Sequence, residues 1–159
     1  MIGNDIVDFN LAREESNWTR KGFLEKIFSI QEQELIHNSP NPEIMIWNLW
    51  TRKEAAYKIY NRLTGIRGYF PSMLECMYKD ENSGTVTIDD FEFHTQTEIT
   101  NLYIYSEAVS ETANFSKIKS LQTLDNIKKN NGIPYFLNNN ITKPVSITHH
   151  GRFQRIIAL

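Results

Sequence analysis

The stretch Trp47-Asn-Leu-Trp-Thr-Arg-Lys-Glu-Ala-Ala-Tyr-Lys58 predicts a helix whose apolar side contains a carboxylate. Residues three, four and seven positions apart lie on the same face of a helix. The aromatic residues predict that this face is turned to the core, where an isolated ionised glutamate is costly to desolvate. Glu54 is therefore expected to have a partner. The face carries Trp47, Trp50, Glu54, Tyr57 and Lys58.

Two interpretations of Glu54 follow from this spacing. Lys58 lies one turn further along the helix, so the two side chains could form an ordinary (i, i+4) ion pair. Alternatively, Glu54 binds a metal ion and Lys58 binds a phosphate. The spacing alone leaves both interpretations open.

The composition predicts a single domain over residues 1–159 and argues against several classes of protein. With 159 residues, of which 40% are hydrophobic, the chain can bury one sizeable core. A net charge of -2 and an isoelectric point near 6.1 argue against a nucleic acid partner. No apolar run approaches the roughly 18 residues that a membrane span needs, so no membrane partner is predicted.

The cysteine content and the first residues predict a cytoplasmic protein. Cys76 is the single cysteine and cannot form an internal disulfide. The sequence Met1-Ile-Gly-Asn-Asp5 lacks the charged and apolar regions of a signal peptide. Both observations are typical of a chain that stays in a reducing compartment.

The chain up to Gly65 predicts a strand followed by three helices. Residues 1–9 are apolar and β-branched around Asp5, which predicts a mostly buried strand. Aspartate is disfavoured in mid-strand, so Asp5 lies at a bulge or has a function, whereas Asp8 is expected to be a turn or cap residue. Ser29 and Glu32 have the spacing of a capping box, which predicts two helices that meet there. The central helix is predicted from about residue 43 to residue 63, with Gly65 as its cap.

The chain beyond Gly65 predicts strands, one helix and a final strand pair. β-Branched and aromatic residues predict strands at 73–78, 84–88, 91–98 and 101–109. Apolar residues at three-residue intervals predict a helix at 116–130, followed by an extended piece at 134–137 and a loop at 138–140. The last residues predict two strands joined around His150-Gly151. The predicted fold class is α+β, with an antiparallel sheet of the first, middle and C-terminal strands packed against the long central helix.

Four motifs occur in an order that is similar to that of a known enzyme family. The motifs are Gly3-Asn-Asp5, Trp50-Thr-Arg-Lys-Glu-Ala-Ala-Tyr-Lys58, Gly132-Ile-Pro134 and Val145-Ser-Ile-Thr-His149. Together they resemble the 4'-phosphopantetheinyl transferases, and their order resembles the short holo-acyl-carrier-protein synthase type. Phe23–Glu32 is similar to a further sequence block of that family. The resemblance covers about residues 1–75 and 131–159.

The resemblance implies a fold, a reaction and a metal site. The implied fold is 4'-phosphopantetheinyl transferase-like. The implied reaction is Mg²⁺-dependent transfer of 4'-phosphopantetheine from coenzyme A to a serine of an acyl or peptidyl carrier protein, with release of 3',5'-ADP. The implied Mg²⁺ ligands are Asp5 and Glu54, and a hard cation that keeps several waters needs only one or two protein carboxylates.

The resemblance also implies catalytic and coenzyme A-binding residues. Glu54 and Lys58 are the implied catalytic residues: Glu54 or a metal-bound water accepts the serine proton, and Lys58 offsets charge on the leaving phosphate. Hydroxyl and imidazole groups can donate hydrogen bonds to phosphate oxygens. By contrast, His37 and His94 are predicted to be structural, and His150 to be a turn residue. The implied coenzyme A-binding residues are Lys53, Lys58, Ser146, Thr148 and His149.

The sequence departs from the family pattern at three places. Asn4 stands where the family usually has an apolar residue. Val7 stands where longer, two-lobed relatives carry a third acidic ligand; this favours the short type, in which water fills that position. An unassigned insertion at about 76–130 has three alternative roles: covering the site, recognising a particular carrier, or blocking the trimer interface of the short type. A homotrimer is therefore one of the alternatives.

Two competing interpretations belong to other classes of protein. A non-catalytic module would bind coenzyme A or a carrier protein without transfer, and a structural domain would use Glu54 and Lys58 only as an ion pair. For the enzyme, a basic surface is expected to face the carrier, because acyl carrier proteins are typically acidic around the modified serine. Its predicted members are Arg13, Arg20 and Lys21.

Overall fold

The computed structural model describes residues 1–138 and 141–159, and over these residues the fold is α+β, as predicted. Part of the loop predicted at 138–140 lies outside the described residues. The helices are α1 Phe9–Glu15, α2 Phe23–Ile27, α3 Ile30–Asn38 and α4 Pro42–Thr64, with short 3-10 helices at Pro71–Met73 and Thr112–Lys117. The strands are β1 Ile2–Asp8, β2 Glu75–Tyr78, β3 Ser83–Ile88, β4 Phe91–Ile99, β5 Tyr103–Val109, β6 Lys119–Ser120, β7 Ile127–Asn130, β8 Ile133–Asn138, β9 Ile141–His150 and β10 Phe153–Ala158.

The central helix α4 begins and ends where local sequence signals predict. The Asn41 side chain accepts a hydrogen bond from the Ile44 N–H (3.2 Å), and Pro42 occupies the first turn, where its missing N–H costs nothing. At the other end, Gly65 adopts a left-handed conformation with φ 73°. The predicted helix is therefore confirmed.

Two further local predictions are confirmed by side-chain caps. The Ser29 hydroxyl accepts from the Glu32 N–H while the Glu32 carboxylate accepts from the Ser29 N–H, which is a complete capping box at the start of α3. Asp8 caps α1 by accepting from the Asn10 N–H (3.1 Å). The Asp8 cap defines the start of α1 directly after β1, and the capping box defines the start of α3, the helix that precedes α4.

The first sheet has the order β1-β5-β4-β3-β2, and every pair in it is antiparallel. Helix α4 packs across β1 and β5. The approach is so close at Gly3 that a Cβ atom there would stand 1.9 Å from the Ala55 carbonyl oxygen. Glycine at this position therefore sets the distance between β1, which carries Asp5, and α4, which carries Glu54.

The C-terminal strands form a second sheet, which corrects the expectation of one continuous sheet. Its order is β6-β10-β9-β8-β7. Strand β9 meets the free edge of β1 through side chains: the N–H groups of Asn4, Ile6 and Asp8 donate to acceptors on β9. These acceptors are Ser146 Oγ (3.0 Å), Thr148 Oγ1 (3.2 Å) and His150 Nδ1 (2.9 Å).

The helix predicted at 116–130 is wrong. The chain there forms a 3-10 helix, then β6 and β7, separated by a turn in which Asn126 has φ 60°. Leu121 and Ile127 pack against Val145, Ile156 and Ala158 of the second sheet. A three-residue apolar spacing suits a helix, but here pairing of β6 with β10 and of β7 with β8 outweighs that local preference.

The face of α4 that is turned to the core differs from the predicted one. Leu49, Ala55, Ala56 and Ile59 are fully buried, whereas Trp50, Glu54, Tyr57 and Lys58 lie half-buried along one border of that face. Glu54 therefore sits at the edge of the core, near Asp5 of β1. Across the described residues, no helix combines the length and apolar character that crossing a bilayer requires.

Candidate active site

Three elements bring the implied site residues Asp5, Lys58 and Thr148 together. The Lys58 ammonium group of α4 donates to the Asn4 carbonyl oxygen (2.6 Å), to Asp5 Oδ1 (3.2 Å) and to the Ile147 carbonyl oxygen (3.3 Å). Lys58 thus joins α4 to both β1 and β9. Within the described chain its ion-pair partner is Asp5, which counts against the interpretation of Glu54 and Lys58 as a simple helix pair.

Asp5 is a mostly buried carboxylate with a defined set of donors. Its side chain is 13% exposed, and Oδ1 accepts from both Lys58 and the Thr148 hydroxyl (2.9 Å). Burial raises the pKa of Asp5 above its usual value, while the Lys58 charge and the Thr148 hydrogen bond oppose that shift. Asp5 is therefore held in place at a cost that a further cation would reduce.

Glu54 is the less compensated of the two acids. Burial and then the negative charge of Asp5 raise its pKa from 4.5 to about 7, and the Lys58 charge only partly opposes them. A carboxyl group with this pKa is partly ionised near neutral pH. It can therefore exchange a proton there, or bind a cation that replaces the proton.

The donor set of Asp5 and Glu54 fits a small divalent cation that keeps part of its water shell. Carboxylate oxygens are the ligands that Mg²⁺ prefers, and two of them suffice when waters and substrate phosphates fill the remaining positions. Over residues 1–138 and 141–159, no group of three or more His, Cys, Asp or Glu side chains is placed to hold a metal.

A cationic cleft lies next to Asp5, because Lys58 lines the cleft and donates to Asp5 Oδ1. It has a volume of about 320 Å³ and is lined by α4, the start of β8 and β9. The exposed residue His149 lines part of this cleft. The cationic lining of the cleft suits the phosphates of a nucleotide. The basic lining residues are Lys58, Arg62, Lys129 and His149.

Arg62 is a cleft residue that the sequence analysis missed. Its guanidinium group donates to the carbonyl oxygens of Pro134 (3.0 Å) and Val145 (2.6 Å) and so ties β8 and β9 to α4. Its Nε is buried and has no hydrogen-bond partner in the described chain. Burial lowers the pKa of Arg62. Its position one helical turn after Lys58 was the available sequence signal.

Ser146 and Thr148 are brought to the site, but as buried residues of the seam between the sheets. They are 2% and 5% exposed, and each hydroxyl accepts a backbone N–H of β1. Thr148 also donates to Asp5, as described above. Their direct role in the structure is thus to hold β1 against β9, and Thr148 in addition orients a carboxylate.

Lys53 is not brought to the cleft, contrary to the implied coenzyme A contact. Its ammonium group is buried and donates to Glu32 Oε2 (2.5 Å), to the Ile27 carbonyl oxygen (2.8 Å) and to the Pro71 carbonyl oxygen (3.1 Å). The reason is helical geometry, since Lys53 points about 100° away from Glu54 around the axis. It connects α4 to the capping box of α3.

Tyr69 is a second residue that the sequence analysis missed, and no motif marks it. Its ring packs edge-on against Trp50 (5.6 Å between centroids) and Tyr57 (5.1 Å). Its hydroxyl is buried without a hydrogen-bond partner in the described chain. It therefore lies over the turn of α4 that carries Glu54.

The predicted basic surface is only partly available. Arg13 is engaged in a bidentate ion pair with Glu43, with both N–O distances at 2.9 Å. Arg20 and Lys21 are exposed between α1 and α2. These two residues are the better candidates for contact with an acidic partner.

Fold and site together define a class of protein: an α+β protein with paired carboxylates beside a cleft suited to phosphates. Sequence comparison gives the family. The sequence model of the 4'-phosphopantetheinyl transferase superfamily matches residues 1–113, and the chain belongs to that superfamily. The match includes residues 76–113, which the sequence analysis assigned to an insertion, and it does not reach 131–159.

Structure comparison supports the same fold. An apo-ACPS structure from Chronobacterium ammoiniagenes superposes with a TM-score of 0.55 at 15% sequence identity, covering 68% of this chain and 93% of that one. No curated protein matches the chain. Phosphopantetheinyl transfer is the activity of the superfamily, which uses coenzyme A as substrate and acts on carrier proteins.

Proposed function

We propose that this protein transfers 4'-phosphopantetheine from coenzyme A to a serine of an acyl or peptidyl carrier protein in a Mg²⁺-dependent reaction of the holo-acyl-carrier-protein synthase type. The observation that carries the proposal is that Asp5 is hydrogen-bonded to Lys58, which lines the cationic cleft, and that its charge helps to raise the pKa of Glu54. Family membership supplies the reaction class.

Asp5 and Glu54 would hold Mg²⁺, which would neutralise charge on the pyrophosphate of coenzyme A. The serine oxygen forms a bond to the phosphorus that bears the pantetheine, and the bond from that phosphorus to the oxygen of 3',5'-ADP breaks. The serine proton goes to Glu54 or to a water. Glu54 is the first candidate because the resemblance to the family assigns this proton transfer to a metal-bound glutamate or a metal-bound water.

Lys58 and the cleft residues act by position and charge. The Lys58 ammonium group, already fixed by two carbonyl oxygens and Asp5, offsets negative charge on the leaving phosphate. His149 and Arg62 line the part of the cleft that would receive the nucleotide phosphates. Ser146 and Thr148 support this arrangement by holding β9 against β1.

Mass spectrometry of a carrier protein tests the proposal directly. Incubation with coenzyme A and Mg²⁺ is expected to add the mass of one phosphopantetheinyl group to at least one carrier from a panel of acyl and peptidyl carriers. Chelator, Asp5→Asn and Glu54→Gln are each expected to abolish the gain. Glu34→Gln, a matched change at an exposed glutamate of α3, is expected to leave it intact.

Two outcomes would contradict the enzymatic proposal. Thermal stabilisation by coenzyme A without any mass gain would favour the non-catalytic binding module. Absence of both effects would favour the structural domain. The homotrimer that the short type suggests is tested separately by light scattering of the purified chain, where a monomeric mass would exclude it.

A further inference from the structure

The loop that follows α4 folds back over the helix turn that carries Glu54. Tyr69 of this loop packs against Trp50, four residues before Glu54, and against Tyr57, three residues after it. The Gly68 N–H donates to the Tyr57 hydroxyl (3.1 Å), which anchors the loop in this position. The Tyr69 ring therefore lies against the stretch of α4 that carries Glu54.

The hydroxyl group of Tyr69 is an unsatisfied buried polar group within the described chain. It is buried and has no hydrogen-bond partner, and a buried polar group in this state is costly. Burial raises the pKa of Tyr69 above its usual value, and the charges of Glu54 and Asp5 add to the effect. The hydroxyl therefore keeps its proton at neutral pH and is available as a hydrogen-bond donor.

We propose that Tyr69 is a further catalytic residue, whose hydroxyl donates a hydrogen bond to a phosphoryl oxygen of the substrate at the Asp5–Glu54 site. The inference rests on the proposed function. An anionic phosphoryl oxygen is the acceptor that suits an unpartnered buried donor, because charge-assisted hydrogen bonds are the strongest kind. Asp5 already accepts from Thr148 and Lys58.

The test is Tyr69→Phe, which keeps the ring and its contacts but removes the hydroxyl. We expect kcat/KM for coenzyme A to fall about tenfold to a hundredfold, the range for loss of one hydrogen bond to a charged group. We also expect the Tm shift produced by coenzyme A with Mg²⁺ to become smaller. In chelator without substrate, the Tm should equal or exceed that of wild type, because the change removes an unsatisfied buried group.

Tyr60→Phe is the matched control. Tyr60 lies on α4, and its hydroxyl donates to Asp89 (2.6 Å), away from the cleft. Loss of this bond is expected to lower the Tm while kcat/KM stays unchanged. The two variants should thus affect stability and activity in opposite ways, although each removes one tyrosine hydroxyl.

Several results would overturn the inference. One is a Tyr69→Phe variant with unchanged kcat/KM and an unchanged Tm shift with coenzyme A. Another is a lower Tm in chelator, which would mean that the hydroxyl is already satisfied in the free protein. If the wild type binds coenzyme A but transfers nothing, the proposed enzyme activity fails while the Tm shift alone decides the role of Tyr69. If the wild type neither binds nor transfers, both proposals fail.

Discussion

Glu54 makes the folded protein sensitive to pH because its pKa rises from 4.5 to about 7 on folding. Between these values the folded state binds more protons at this residue than the unfolded state does. The contribution of Glu54 to the free energy of unfolding is therefore greatest at low pH and declines as pH rises through 7, by up to about 3 kcal/mol. Burial of Asp5 shifts its pKa in the same direction.

Glu54→Gln is accordingly expected to unfold at the same or a higher temperature than wild type at pH 8 in chelator, because it removes a poorly compensated charge. It should also lose the stabilisation that Mg²⁺ with coenzyme A gives to the folded state. Melting curves between pH 5 and pH 8 measure both effects, with Glu34→Gln as the control. A simple Glu54–Lys58 pair would give the opposite sign, a loss of about 0.2–0.5 kcal/mol. A Glu54→Gln variant that melts lower yet stays active would contradict the proposal that Glu54 is a metal ligand.

Lys53 and Glu32 form a buried ion pair that the motif did not reveal. Lys53→Met is expected to destabilise the fold by about 3–5 kcal/mol, because it leaves the Glu32 carboxylate buried without its cation. Urea denaturation measures the loss. In the double variant Lys53→Met/Glu32→Gln, the loss should be smaller than the sum of the single losses. If Lys53 instead bound coenzyme A, Lys53→Met would weaken that binding and leave stability unchanged.

The seam between β1 and β9 links the stability of the two sheets to the proposed metal site. Thr148→Val removes both the acceptor of the Ile6 N–H and the donor to Asp5. We expect a loss of about 1–3 kcal/mol in stability, together with a higher Mg²⁺ requirement for transfer. Ser146→Ala removes only the acceptor of the Asn4 N–H, so it should lower stability without the same change in Mg²⁺ requirement. Equal Mg²⁺ titrations for the two variants would contradict the role given to Thr148.

Arg62 connects helix α4 to the hairpin strands β8 and β9 through two carbonyl oxygens. Arg62→Lys keeps the charge, but an ammonium group cannot reproduce the planar fork that spans both acceptors. The cleft wall should loosen, so that KM for coenzyme A rises while kcat changes little. Steady-state kinetics over coenzyme A concentration measure this split. A fall in kcat at unchanged KM would show that Arg62 acts on the reacting group instead.

The proposed recognition of a carrier protein depends on local charge, because the net charge of the whole protein is only -2 and gives little long-range steering. Arg20→Glu is expected to raise KM for the carrier and to weaken its salt dependence, with coenzyme A binding unaffected. Arg13→Gln serves as the comparison: it should have a smaller effect, because Glu43 already neutralises Arg13. Equal loss for both substrates would place the carrier surface elsewhere.

Local sequence was sufficient to determine the helix ends, because the capping residues lie within a few positions of each end. The Asn41 cap and Gly65 delimit α4, Ser29 and Glu32 close a capping box, and Asp8 caps α1. The order of the motifs was sufficient to predict the family, and through the family that Asp5 and Lys58 belong to one site. Helix caps depend on neighbouring residues, and the family motifs have a fixed residue spacing. Both kinds of signal are visible in the sequence alone.

Other features depended on contacts between residues far apart in the sequence. Two short strands within residues 119–130 stand where a helix was predicted, because they pair with β10 and β8. Strand β9 belongs to a second sheet because its side chains, 142 positions away in the sequence, accept the hydrogen bonds of the β1 N–H groups in place of its backbone. Lys53 pairs with Glu32 of α3, and Tyr69, in the loop after α4, packs on Trp50 and Tyr57. Burial and hydrogen-bond satisfaction are properties of the packed molecule, so only the tertiary structure decided which lysine faces the cleft and which hydroxyl lacks a partner.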